Sequence, residues 1–98
     1  MATARPSNRF RERFARLPVA VQEAVDEAIL YIEANPREAG RELRGHWRGT
    51  WKRDVGQYRV LYRITGPRDQ EVALHSVFKR PEGYARRGPH RPRPWAPS

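Results

Sequence analysis

The sequence predicts an α+β fold in which a helical hairpin packs on a small antiparallel β-sheet. Two observations carry that reading. Apolar residues recur at helical spacing from about position 8 to 35, and they alternate with polar ones in the strand-like stretches from 50 to 79. Helices followed by strands, rather than helix and strand in alternation, argue for an antiparallel sheet with the helices to one side.

Taken in order, Phe10, Phe14 and Leu17 fall at i, i+4 and i+7 with Ser7 placed as N-cap, so residues 8 to 16 form a short helix, with room for a brief strand ahead of it. Pro18 suits the first turn of a second helix. Val21, Ala24, Val25, Ala28, Ile29 and Ile32 give that helix one apolar stripe, and Asn35-Pro36 ends it. The segment REAGRELRGHWRGT (37–50) has three glycines and no sustained period, which predicts a connection holding Leu43 and Trp47 against the core. Strands follow at 50–55 and 58–65 around Gly56-Gln57, a Gly-X pair suited to a two-residue type II′ turn. A third strand, EVALHSVFK (71–79), comes after the GPRDQ turn. One domain over residues 1–84 accounts for these elements. From Ala85 the chain reads ARRGPHRPRPWAPS, four prolines and four arginines in fourteen residues, a basic tail (85–98) expected to be extended or disordered.

A chain of 98 residues has room for one core. With no cysteine it has neither disulfides nor a thiolate metal site, and His46, His75 and His90 are too scattered to form one. The absence of a membrane-length apolar run and of a signal-peptide core predicts a soluble, cytoplasmic protein. Twenty Lys and Arg against eleven Asp and Glu give a net charge of +9. Residues 17–36 hold Glu23, Asp26, Glu27 and Glu33 and no basic residue, so that segment carries −4 and the remainder +13. Positive charge concentrated away from one helix points to a polyanionic partner.

The hairpin shows where that charge is organised. A two-residue loop at Gly56-Gln57 pairs Val55 with Tyr58, Asp54 with Arg59, Arg53 with Val60, Lys52 with Leu61 and Trp51 with Tyr62. Trp51, Val55, Tyr58, Val60, Tyr62 and Ile64 then share the core face, with Arg53 the odd member. Lys52, Asp54, Arg59, Leu61 and Arg63 share the other. Periodicity alone leaves two readings of the charged face: a solvated sheet surface with a cross-strand Asp54–Arg59 ion pair, or a built site. Tyr58, Tyr62, Trp47 and Trp51 are read as core, and His75 as a satisfied or exposed sheet histidine.

The ordered set LP (17–18), the long amphipathic helix, NP (35–36), ELRG (42–45), WKR (51–53), VGQYRVLYRI (55–64) and SVFKRPEGY (76–84) resembles the RelE/ParE superfamily of bacterial type II toxins over about residues 8–84. The resemblance implies a small α/β fold and a cognate antitoxin protein as partner. On its RelE branch it implies metal-independent, cofactor-free cleavage of mRNA on the ribosome. Lys52 matches the family's first strand lysine, a proton acceptor whose pKa neighbouring cations would lower. Arg59 matches the arginine of the G-x-Y-R motif, which would hold the scissile phosphate, and Arg80 the last-strand arginine, which would assist the leaving group. Tyr84 matches the C-terminal tyrosine, suited to stacking on a base or aiding proton transfer. Around these, Arg53, Arg63, Lys79, Arg86 and Arg87 are the cations expected to grip RNA.

The chain departs from the pattern at Asp54, where many relatives carry a second Lys or Arg. An acid there neutralises part of the phosphate site, or serves as an alternative proton acceptor held by Arg59. Three functions therefore stand: a ribosome-dependent endoribonuclease, a ParE-like poison of DNA gyrase, and a nucleic-acid-binding relative silenced by Asp54.

Overall fold

In a computed structural model that describes residues 1–80, the chain runs β1 (Thr3–Pro6), α1 (Asn8–Ala15), α2 (Val19–Ala34), β2 (Arg41–Glu42), a 3-10 turn (Gly45–Trp47), β3 (Thr50–Val55), β4 (Tyr58–Thr65) and β5 (Glu71–Lys79). The expected 85–98 tail, with Tyr84, Arg86 and Arg87, lies outside the described residues. The five strands form one sheet in the order β1-β5-β4-β3-β2, antiparallel except for β1, which runs parallel to β5.

The β3–β4 hairpin adopts the register that its turn dictates, from Val55↔Tyr58 through Asp54↔Arg59 to Trp51↔Tyr62. Gly56 takes φ 61 while Gln57 keeps negative φ, as a type II′ turn requires. Val60, Tyr62, Val72, Leu74 and Val77 project from one face of β4 and β5. They meet Phe10 of α1 and Val25 and Ile32 of α2 in a single buried cluster. Burial of each of these large side chains stabilises the fold by ~1.5–3 kcal/mol, so this helix-covered face holds the molecule together.

Ser7 caps α1 as expected: its Oγ accepts from the Phe10 amide at 3.0 Å and donates to the His75 carbonyl at 2.8 Å, which also ties the helix start to β5. His75 itself is exposed. It is the extra residue where the β4–β5 register shifts, Leu61 pairing with Ser76 and Tyr62 with Leu74. Pro18 stands one position ahead of the expected first turn, as the N-cap of α2.

Three expectations are corrected. The sheet extends beyond the three strands of the meander: β1 is the brief strand for which the sequence left room, while β2 was not expected, and each is too short to show alternation and is recruited by pairing with a longer neighbour. The 37–50 segment is therefore not only a connection. Trp47 is not core: it is 54% exposed, carried outward on the 3-10 turn that opens with the positive-φ Gly45.

Close approach fixes β2 against the hairpin. A Cβ on Gly40 would meet the Lys52 carbonyl oxygen and the Tyr62 hydroxyl, so only glycine lets the chain pass here. The Tyr62 hydroxyl donates to the Pro36 carbonyl at 2.7 Å, and burial pushes its pKa up to about 12.

Candidate functional site

The face of the sheet opposite the helices has its own floor. Leu61, Ser76 and Thr50 are buried there although none belongs to the core cluster. Around this floor stand the charged residues of the hairpin. Lys52 and Asp54 are two apart on β3 and so share a face; Arg59 is the cross-strand partner of Asp54.

Their side chains converge on one carboxylate. Arg59 Nε donates to Asp54 Oδ1 at 2.9 Å, and Lys52 Nζ donates to Asp54 Oδ2 at 3.4 Å. Arg80 arrives from the end of β5. Its amide donates to the Gln57 carbonyl at 2.7 Å and its Nη1 to the Gly56 carbonyl at 3.1 Å, which leaves Nη1 4.0 Å from Asp54 Oδ2. The hairpin turn thus supplies the carbonyls that aim Arg80 at the cluster. Three cations around one anion leave a local excess of two positive charges, on side chains between a quarter and a half exposed.

Partial burial pushes the Asp54 carboxyl up, but the hydrogen bond and charge of Arg59, with Lys52 behind it, outweigh that. The net pKa lies below the usual aspartate value. Asp54 is ionised at neutral pH and holds the cations at the spacing of a small anion.

A cavity of about 460 Å³ opens beside the cluster, lined by Lys52, Arg53 and Asp54 of β3 and by residues 38–41, Glu38 and Arg41 among them. Arg41 is the ladder partner of Lys52 and was missed by sequence reasoning, because β2 has no alternation to reveal it. Phe78, the ladder partner of Arg59, puts a half-buried aromatic side chain on the same face.

The other expected cations are not all brought to this face. Arg53 lies on the helix-covered side. Its Nη1 donates to the Ala39 carbonyl at 2.8 Å, its guanidinium sits 5.1 Å from the Tyr31 ring centroid, and its buried Nε has no hydrogen-bond partner among the described residues. Arg63 shares the face of Lys52 but stands nearer its far end, donating to Thr50 Oγ1 at 3.1 Å. Lys79 pairs with Tyr58 and shares that residue's side of the sheet, so it faces α1 rather than the cluster. No group of three or more His, Asp or Glu side chains suited to a metal occurs among the described residues. No described helix is long and apolar enough to cross a membrane.

No protein-family model matches the chain, and no curated protein matches it. Solved structures do. The toxin–antitoxin complex RelBE2 from Mycobacterium tuberculosis contains a chain 30% identical, with TM-score 0.73, the match covering 81% of this chain and 98% of that one. The isolated RelE toxin of E. coli is 24% identical with TM-score 0.71, covering 88% and 94%. A YoeB/ParE toxin from Agrobacterium tumefaciens is 17% identical with TM-score 0.69, covering 83% and 100%. The last two show a shared fold.

Proposed function

The chain belongs to the RelE-like toxin superfamily, and from that premise we propose that it is the toxin of a type II toxin–antitoxin pair that cleaves mRNA on the ribosome and is neutralised by a cognate antitoxin protein in the cytoplasm. The observation that carries the cleavage reading is the convergence of Lys52, Arg59 and Arg80 within 4.0 Å of one carboxylate on a face that no helix of the core cluster covers.

Cleavage by the 2′-hydroxyl forms a bond from that oxygen to phosphorus and breaks the bond to the 5′ oxygen. It needs an acceptor for the 2′ proton, donors for the charge that grows on the phosphate, and a proton for the departing oxygen. Lys52 takes the first role. Arg59, with a guanidinium that contacts two phosphate oxygens at once, takes the second. Arg80, aimed by the Gly56 carbonyl, stabilises the leaving oxygen, and Tyr84 gives that oxygen its proton or stacks on a base. Arg63 and the tail's Arg86 and Arg87 add grip on the RNA.

Asp54 fits a different part from the proton acceptor first considered for it. A carboxyl held below its usual pKa is a weak base. It occupies the place among the cations that a phosphate takes, and Arg59 exchanges it for the phosphate when RNA binds. The same feature favours a second reading, a nucleic-acid-binding relative in which the exchange fails and nothing is cut.

Expression without a partner tests both. Growth arrest with codon-phased ends on translated messages, abolished by Arg59→Ala in a protein that still folds, is the expected result. Unchanged growth overturns the cleavage reading in favour of the binding one. DNA breaks with intact messages overturn it in favour of a gyrase poison.

A further inference from the structure

A second basic site lies around the end of the sheet from the Asp54 cluster. Where α1 crosses the ends of β4 and β5, a groove of about 590 Å³ is lined by Arg9, Arg13, Arg16, Lys79, Tyr58 and Glu12, among others. Arg9, Arg13 and Arg16 follow the i, i+4, i+7 spacing of one helix face, so the geometry of α1 alone aligns them. All three, and Lys79, are exposed.

None of these four makes an ion pair or side-chain hydrogen bond among the described residues; other exposed arginines such as Arg44 and Arg48 share that, but these four line one groove. The Asp54 cluster carries its own counter-anion. The groove gathers four cations against the single carboxylate of Glu12, in a concave wall that focuses their field. Tyr58 adds a half-buried ring on which a base can stack.

Groove and cluster lie on opposite faces of the sheet at the same end of the hairpin, so that a strand of RNA passing round that end meets both. Tyr58 and Arg59 are consecutive, as are Lys79 and Arg80, and in each pair the first residue lines the groove while the second reaches Asp54. We propose that this groove is a second phosphate-binding site, which holds the backbone of single-stranded RNA next to the nucleotide engaged by Arg59. The proposal rests on the RNA-directed reading above for the nature of the polyanion.

The test measures binding without cleavage. Fluorescence anisotropy with a short oligoribonucleotide methylated at its 2′-hydroxyls is recorded across a salt series for the full chain, for Arg13→Gln/Arg16→Gln, and for Arg37→Gln. Arg37 is an equally exposed arginine, but it is paired with Asp69. The double variant is expected to bind ~10-fold or more weakly at low salt and to lose ~0.7 from the salt slope for each phosphate contact removed. Arg37→Gln is expected to stay within ~2-fold of the parent, and the melting temperature of each variant checks folding. Losses in proportion to the charge removed, with Arg37→Gln losing half as much log affinity as the double variant or more, would mean that only net charge matters and would overturn the groove. Absence of salt-dependent binding in the parent overturns it too, as does intact RNA binding with loss of affinity for an acidic polypeptide, which would make the groove a protein-docking face. Groove-dependent binding by a protein that never cuts messages leaves this site standing while the cleavage reading falls.

Discussion

Arg53 and Arg59 occupy adjacent rungs of one hairpin, yet they have opposite fates. Arg53 faces the helices, where a backbone carbonyl and the Tyr31 ring absorb its charge. Arg59 faces the open side, where its partner is a carboxylate that an incoming anion can replace. Nothing in their chemistry distinguishes them; parity along the strand does. A one-residue slip of the ladder would exchange their faces, which makes the Gly56-Gln57 turn the origin of the site as well as of the sheet.

Arg59→Ala should show the largest effect: cleavage of ribosome-bound message in single-turnover assays falls by ~10²–10³-fold, the scale of losing one donor to a developing oxyanion. Its unfolding free energy in urea should change by under ~1 kcal/mol, since the pair it breaks is partly exposed. Loss of folding with cleavage retained would erase the contrast between the two arginines.

Gly40→Ala comes next, because the new methyl collides with backbone of β3 and with the hydroxyl of Tyr62. It should destabilise by ~1–3 kcal/mol in urea. Arg53→Met removes the hydrogen bond to Ala39 and the contact with Tyr31, at a cost of ~1–3 kcal/mol in the same titration. The affinity of the folded fraction for RNA should be preserved. A weaker salt slope with unchanged stability would place Arg53 among the RNA contacts after all.

The smallest stability effect belongs to Asp54→Asn. The folded carboxyl titrates below its unfolded value, so the stabilisation by its cations is complete above the ordinary aspartate pKa of ~3.9 and is lost as pH falls through the folded pKa. Parent and variant should differ by under ~1 kcal/mol at neutral pH, after allowance for exposure, and converge in urea titrations below about pH 4. At neutral pH the variant should bind RNA more tightly, because no internal anion competes; weaker binding would show that Asp54 organises the cations rather than occupying their site.

Much of this arrangement was legible in the sequence because it depends on local rules. The Gly-X turn set the register, alternation sorted the faces, and Ser7 announced its cap. Spatial proximity between distant segments was harder to read. Arg41 joins Lys52 only because a two-residue strand pairs with β3, and Arg80 joins Asp54 only because the Gly56 carbonyl holds its guanidinium. Trp47 was misplaced for a related reason: hydrophobicity argued for burial, while the left-handed Gly45 turned the chain outward.

The pairing of β1 with β5 has a consequence in time. Thr3 through Pro6 leave the ribosome first among the described elements, and their sheet partners, Glu71 through Leu74, come almost last. Contacts so distant along the chain close late. During synthesis the N-terminal strand therefore waits unpaired, and the guanidinium of residue 80 is still to be made. Until β5 is made, the chain can neither close its sheet nor set Arg80 against Asp54.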